Sequence, residues 1–243
     1  MIGVSPSSGP DRRVVPRVIR VTDLGYAPDG YVILDQLSLE LSLGGTTAFV
    51  GSSGCGKSTL LRLIAGLRTP TSGQVAGVPE RRAYVFQDHA LLPWLTLAQN
   101  VMLPGRYRSG TASDPTPILA RLGLSEHAQK LPHALSGGQR MRGSIARALY
   151  AAPEIVFLDE AFSALDGITR ASVQADFQRV AAAEGWTVLM VTHDLLEATT
   201  MADRVIALRG PPLRVVYDVD RPASGAFDAG LPAALSAALG AAR

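Results

Sequence analysis

Gly51-Ser52-Ser53-Gly54-Cys55-Gly56-Lys57-Ser58-Thr59 stands between an apolar run, Ala48-Phe49-Val50, and a helical pattern with Leu60, Leu61, Ile64 and Ala65 on one face. The stretch is G-x-x-x-x-G-K-[ST] with an extra glycine at Gly54, and its flanks predict a buried strand before it and a helix after it. A turn of this kind favours an anion, because the unpaired N–H groups and the positive end of the helix dipole face it together. Glycines let the backbone curl and approach a phosphate without a Cβ clash. In such a loop Lys57 reaches the β and γ phosphates of a nucleotide, and the Ser58 hydroxyl sits on Mg²⁺. Among 23 basic residues only Lys57 and Lys130 are lysines. A chain that otherwise uses arginine thus places a compact ammonium where a planar guanidinium fits poorly. An incidental lysine in a Gly/Ser-rich turn would not explain the agreement of motif and flanks.

Composition sets the outer limits. At 243 residues with 47% hydrophobic content, the chain suits one large domain, or a domain with a subdomain. A net charge of +2 gives no spread-out nucleic-acid footprint, so no nucleic-acid partner is expected. The single cysteine, Cys55, excludes an intrachain disulfide and suits a reducing cytosol. It reads as a small filler in the loop, with a redox switch as the alternative. Residues 1–16 read as a disordered lead-in without the apolar core of a signal peptide. No stretch approaches the roughly 20 apolar residues of a membrane span.

Residues 17–50 are strand-rich: Arg17–Val21 alternates, and Leu37, Leu39, Leu41 and Leu43 continue with period two. Asp29-Gly30 and Gly44-Gly45 are turn signals. Tyr26, placed in the loop between the first strands, can stack on an adenine ring, with Tyr31 as runner-up. Pro70-Thr71-Ser72-Gly73 ends the helix after the phosphate loop, and Ala83–Phe86 is a short strand leading to Gln87. Thr96-Leu97-Ala98-Gln99 is a capping box that starts a helix near residue 97. The preceding loop, 88–95, is unusually apolar, which fits either packing inside a helical subdomain or docking of another protein. Residues 104–117 read as a flexible connection before a helix starting at Ile118.

Leu135-Ser136-Gly137-Gly138-Gln139 opens another helix, with Ser136 as its N-cap and Met141, Ile145, Ala148 and Leu149 along one face. Small residues at a helix start can make a second anion site, although an isolated pentapeptide of this kind fits a plain helix cap better. Ile155–Leu158 is a wholly apolar strand ending in Asp159-Glu160. A carboxylate at that edge of a parallel sheet faces the ligand crevice. Asp159 can hold Mg²⁺ through its water shell, and Glu160 can polarise an attacking water. Ser163–Asp166 is a tight turn. Val188–Val191 is another strand with Thr192-His193-Asp194 at its tip, where His193 can hydrogen-bond a γ-phosphate oxygen. Val205–Leu208 gives one more strand, and Leu231, Leu235 and Leu239 suggest a short terminal helix in the tail 223–243.

Taken together, residues 17–222 resemble the ATP-binding subunit of an ABC transporter, with five motifs in the family's order. By this resemblance Gly51, Ser52, Gly54, Cys55, Gly56, Lys57, Ser58 and Thr59 belong to the Walker A loop. Gln87 is the Q-loop glutamine that senses the γ-phosphate and joins Ser58 and Asp159 at the metal. Ser136, Gly137, Gly138 and Gln139 are the signature, Asp159 and Glu160 close Walker B, Asp166 ends the D-loop and His193 is the switch histidine. The resemblance implies an α/β P-loop NTPase core with a mainly parallel sheet, an N-terminal antiparallel β subdomain and a helical subdomain at about 88–150. It also implies ATP and Mg²⁺ as ligands, and a homodimer in which each signature helix caps the nucleotide held by the other copy.

Phe86-Gln87-Asp88-His89-Ala90-Leu91-Leu92-Pro93-Trp94-Leu95-Thr96 resembles the branch serving nitrate, sulfonate and taurine importers. That branch implies a permease docked near Gln87–Thr96, an extracytoplasmic solute-binding protein acting indirectly, and a peripheral place on the cytoplasmic face of the membrane. Two positions depart from the pattern: Ala161 stands where proline is usual, and Arg142-Gly143-Ser144 interrupts a run of arginine and aliphatics. Gly143 should cost its helix roughly 1 kcal/mol relative to alanine. An ABC ATPase of translation or DNA repair is the rival reading, but those families usually fuse two such domains or add coiled coils. A small-molecule P-loop kinase would lack the Leu135–Gln139 stretch. The transported substrate is not written in this subunit, which never touches it.

Overall fold

A computed structural model describes residues 18–108 and 113–240. The expected lead-in, residues 1–16, lies outside the described residues. In chain order the elements are β1 (Val18–Tyr26), β2 (Leu34–Ser42), β3 (Gly45–Val50), α1 (Lys57–Ile64), β4 (Ser72–Ala76), β5 (Arg82–Val85) and α2 (Leu97–Arg108). They continue with α3 (Thr116–Arg121), α4 (Gly137–Tyr150), β6 (Ile155–Asp159), α5 (Gly167–Glu184), β7 (Thr187–Thr192), α6 (Leu195–Met201), β8 (Arg204–Arg209), β9 (Arg214–Asp220) and α7 (Leu231–Gly240).

The strands form two sheets. A six-stranded sheet has the order β5-β6-β7-β3-β8-β9, parallel except for β9 at its edge. A three-stranded antiparallel sheet has the order β2-β1-β4. This is the α/β architecture with a mainly parallel sheet and an antiparallel β subdomain that the sequence leads one to expect.

Strand alternation divides the core. Phe49, Phe157, Leu189, Val191 and Ile206 point to one side, where they meet Leu60, Leu61 and Ile64 of α1 and Ile19, Leu24 and Leu41 of the antiparallel sheet. Ala48, Val50, Val156, Leu158, Val188 and Met190 point to the other, against α4, α5 and α7. Because both faces are covered, the central strands read as continuous apolar runs rather than alternating ones.

Two expectations are corrected. Tyr26 is the last residue of β1, paired with Leu34, and not part of a loop. The strand reaches it through register shifts between Val21, Leu24 and Tyr26 that hide the two-residue period. Helix α2 continues through Pro104 to Arg108, so the connection expected from residue 104 starts later. Buried Leu97, Ala98 and Val101 anchor the helix before the proline, which removes a single main-chain donor. Residues 109–112 of that connection lie outside the described residues. Gly143 also has a packing reason: a Cβ there would sit 2.6 Å from Cδ1 of buried Leu97, so the glycine lets α2 and α4 approach. Next to it, the Ser144 hydroxyl donates to the His89 carbonyl at 2.8 Å and fastens the loop after Gln87 to α4.

Candidate functional site

Parallel register brings the chemistry to one edge. Val50 lies opposite Thr192 and Asp159 opposite Val191, so the residues that follow β3, β6 and β7 emerge side by side. After β3 the chain turns into α1 through Gly56, whose φ of +115° is open to glycine and forbidding to other residues. Gly51 is small because a Cβ would fall 2.3 Å from the Leu208 carbonyl oxygen on β8. Cys55 is 1% exposed with Sγ 3.9 Å from the same carbonyl, which fits the filler reading.

Lys57 is buried, and its Nζ donates to the carbonyls of Gly51 and Ser52 at 2.8 and 2.9 Å. The same ammonium lies 3.9 Å from Oε1 of Glu160. On its other oxygen Glu160 meets Nδ1 of His193 at 3.1 Å. Glu160 is therefore held between a cation and an imidazole at the mouth of the site. Its φ of 47° puts it in the left-handed region, a costly conformation of the kind that gathers at functional sites.

Ser58 and Asp159 also converge: the Ser58 hydroxyl donates to Oδ1 of Asp159 at 2.6 Å. A hydroxyl and a carboxylate side by side are hard oxygen donors, the set that suits Mg²⁺ with part of its water shell retained. The donors present thus fit the metal. Oδ2 of Asp159 accepts from the Tyr84 hydroxyl and from Nη2 of Arg62, both at 2.8 Å. Burial, then the Asp159 charge, pushes the Tyr84 phenol far above its ordinary range. Partial burial opposes the charge on Arg62 but is outweighed by Tyr84 and Asp159, so its pKa is raised.

A cleft of about 160 Å³ beside the loop is lined by Tyr31, Ile33, Gly54, Gly56, Lys57, Ser58, Thr59, Glu160 and Pro211. Tyr31, 62% exposed, stands on its wall. Tyr26 is engaged elsewhere, its ring under the Arg68 guanidinium at 5.6 Å and its hydroxyl bonded to it at 3.2 Å. Of the two candidate rings, Tyr31 lines this cleft and Tyr26 does not. Tyr31→Ala is expected to weaken ATP binding about tenfold, the loss of one ring–base stack worth about 1–3 kcal/mol, while Tyr26→Ala changes it little. Titration with a fluorescent ATP analogue checks this.

The remaining expected residues lie apart from that cleft. Gln87 is exposed, and its amide Nε2 donates to the Ser163 hydroxyl at 3.4 Å. Ser163 in turn donates to the Glu160 carbonyl at 2.8 Å, which links Gln87 to Glu160 at one remove. Asp166 caps α5 by accepting from the Thr169 N–H at 3.0 Å, and that contact lowers its pKa. Ser136 and Gln139 form a reciprocal capping box on α4, at 3.2 and 3.0 Å. Gly138 is dictated by packing, since a Cβ would meet Thr169 at 2.6 Å. None of Ser136, Gly137, Gly138 and Gln139 lines the cleft beside Lys57.

Several working residues escape sequence reading. Arg170 donates to the Leu165 carbonyl at 2.9 Å and pairs with Asp194 at 3.4 Å, tying the turn after Glu160 to the segment after His193. Asn100, fully buried, bonds the Leu92, Leu95 and Thr96 carbonyls and the Leu92 N–H, and so shapes the loop that ends in Thr96. The Thr96–Gln99 capping box forms as expected. Trp94 stands out from this loop at 70% exposure. Nearby, Phe86, Ala90, Pro104, Ser144 and Arg147 help line an open cavity of about 440 Å³.

The sequence model described as ABC transporter matches residues 34–163. An aliphatic sulfonates import ATP-binding protein, SsuB 1, of Xanthomonas axonopodis pv. citri is 40% identical over 199 residues, covering 76% of this chain and 78% of that protein. SsuB 2 of Frankia alni is 45% identical over 191 residues, covering 79% and 77%. Among solved structures, cbiO1 of Clostridium perfringens, described as part of the ABC transporter complex cbiONQ, superposes with a TM-score of 0.74 at 26% identity over 84% of this chain and 88% of that one. The ATP-binding cassette MJ0796, a dimer in a post-hydrolysis state with ADP and phosphate, superposes with a TM-score of 0.73 at 28% identity over 84% and 99%.

Proposed function

The chain belongs to the ABC transporter family, and on that premise we propose that this ATP-hydrolysing importer subunit powers uptake of an aliphatic sulfonate through a separate membrane permease. The observation that carries the chemistry is Glu160 held between Lys57 and His193 beside the Ser58–Asp159 pair. The substrate class rests on the sulfonate-import relatives, which also leave the translation or DNA-repair reading without support.

In this reading Lys57 exchanges the carbonyls of Gly51 and Ser52 for β- and γ-phosphate oxygens. Loop N–H groups from Gly54 to Thr59 surround the β-phosphate, and Tyr31 stacks on the base. Ser58 and Asp159 would hold Mg²⁺, which would supply positive charge to the phosphate oxygens. Glu160 orients a water and accepts its proton, while His193 fixes the Glu160 carboxylate and faces the γ-phosphate. Gln87 reports on this edge through Ser163. Ser136, Gly137 and Gly138 serve the site of a second copy in a two-fold dimer, which explains an anion-binding helix start that does not line its own chain's cleft.

The same reading makes Trp94 and the adjoining cavity the permease contact, with an extracytoplasmic solute-binding protein delivering the sulfonate. No helix among the described residues is long and apolar enough to cross a membrane. An exposed tryptophan seated in a partner's pocket is typically a hot spot, and loss of about 2 kcal/mol corresponds to about 30-fold in affinity. Trp94→Ala is expected to lose retention on permease-bearing membranes by that factor while the isolated subunit keeps its ATPase rate. Unchanged retention of Trp94→Ala in a flotation assay would remove the loop from the interface.

A further inference from the structure

Asp159 is 3% exposed and its two carboxylate oxygens have different neighbours. Oδ1 meets the Ser58 hydroxyl at 2.6 Å. Oδ2 is taken up by the Tyr84 hydroxyl and the Arg62 guanidinium, each at 2.8 Å. These two donors come from different elements, β5 and α1, and bracket the strand that carries Asp159. Tyr84 is itself fixed, its ring 4.5 Å from that of Phe86 and 6.0 Å from that of Phe157.

An ionised carboxylate can present either oxygen, or both, to a cation. With Oδ2 committed to two donors, only Oδ1 remains for the side where Ser58 lies. Arg62 also offsets a buried negative charge that would otherwise be costly. Partners of this kind orient a ligand and commonly change metal affinity or activity by about 10–100-fold when removed.

We propose that Tyr84 and Arg62 are positioning residues that hold Asp159 to a divalent cation through Oδ1 alone. The inference rests on the reading of Ser58 and Asp159 as the Mg²⁺ site. Its consequence is that Tyr84 acts on the metal-dependent part of nucleotide binding and not on the nucleotide itself.

The test is the dissociation constant of a fluorescent ATP analogue on the full chain, measured once in EDTA and once in saturating Mg²⁺. The ratio of the two values reports the metal's contribution. Tyr84→Phe keeps the ring and removes the donor; it is expected to cut that ratio about tenfold and to leave the EDTA value unchanged within about twofold. Arg62→Met is expected to act in the same direction. An unaltered ratio in both variants would overturn the proposal. So would an equal weakening with and without Mg²⁺, which is the mark of a merely structural role. A wild-type ratio of one would instead refute the metal-site reading itself, and the inference with it.

Discussion

Glu160→Gln binds ATP as the wild type does and hydrolyses it about 100-fold more slowly or worse, the lower end of what a positioned general base contributes. The substitution is nearly isosteric. The glutamine can keep a hydrogen bond to His193, which now lies 3.1 Å from Oε2, but it cannot accept the proton of water. It also removes a negative charge 3.9 Å from the Lys57 ammonium, which leaves that ammonium free for phosphate. Phosphate release under single-turnover conditions, with bound nucleotide measured in parallel, separates the two steps. Turnover near that of wild type would show that another group activates the water.

Lys57→Ala acts one step earlier. Lys57 is 3% exposed and donates to two loop carbonyls, which in the proposed function it exchanges for phosphate oxygens. Hydrogen bonds to charged groups are worth about 1.5–3 kcal/mol each, so losing two of them lowers ATP affinity by about 100-fold or more. Lys57→Arg should rescue little, because a planar fork does not follow the curl of the loop. Calorimetric titration of Mg-ATP into each variant measures the loss. An affinity within threefold of wild type in Lys57→Ala would place the phosphates elsewhere.

The features legible in the sequence are those built from neighbours in the chain. The Gly51–Thr59 loop, the apolar strands at β3, β6, β7 and β8, the capped start of α4 and the terminal helix α7 each declare themselves within one short window. What escaped was set by partners far away. β4 is polar and begins inside a turn signal, yet it forms because β1, about fifty residues earlier, offers it an open edge. β9 is likewise an antiparallel edge strand defined by β8. Gly143 reads as a weak point of a helix until Leu97 of α2 is seen against it.

The site shows the same division. Lys57, Ser58, Asp159, Glu160 and His193 were each placed by a strand end and meet as that placement implies. That Tyr31 lines the cleft while Tyr26 packs under Arg68 was not legible, since the bulges in β1 and the contact with Arg68 set where each ring lies. Gln87 and Asp166 are held by Ser163 and Thr169, partners that no motif in the sequence pairs with them. Tyr84 and Arg62 belong to elements that no motif marks, and only the sheet order β5-β6 beside α1 brings them to Asp159.

The central claim is that ATP hydrolysis in this chain drives sulfonate uptake, and uptake is the quantity to measure. A host lacking the subunit is given an isotopically labelled alkanesulfonate, and accumulation is followed with wild type or Glu160→Gln restored. The account predicts accumulation with wild type, none with Glu160→Gln, and no effect of either on sulfate uptake. Equal accumulation in the absence of the subunit, or with Glu160→Gln in its place, would contradict it.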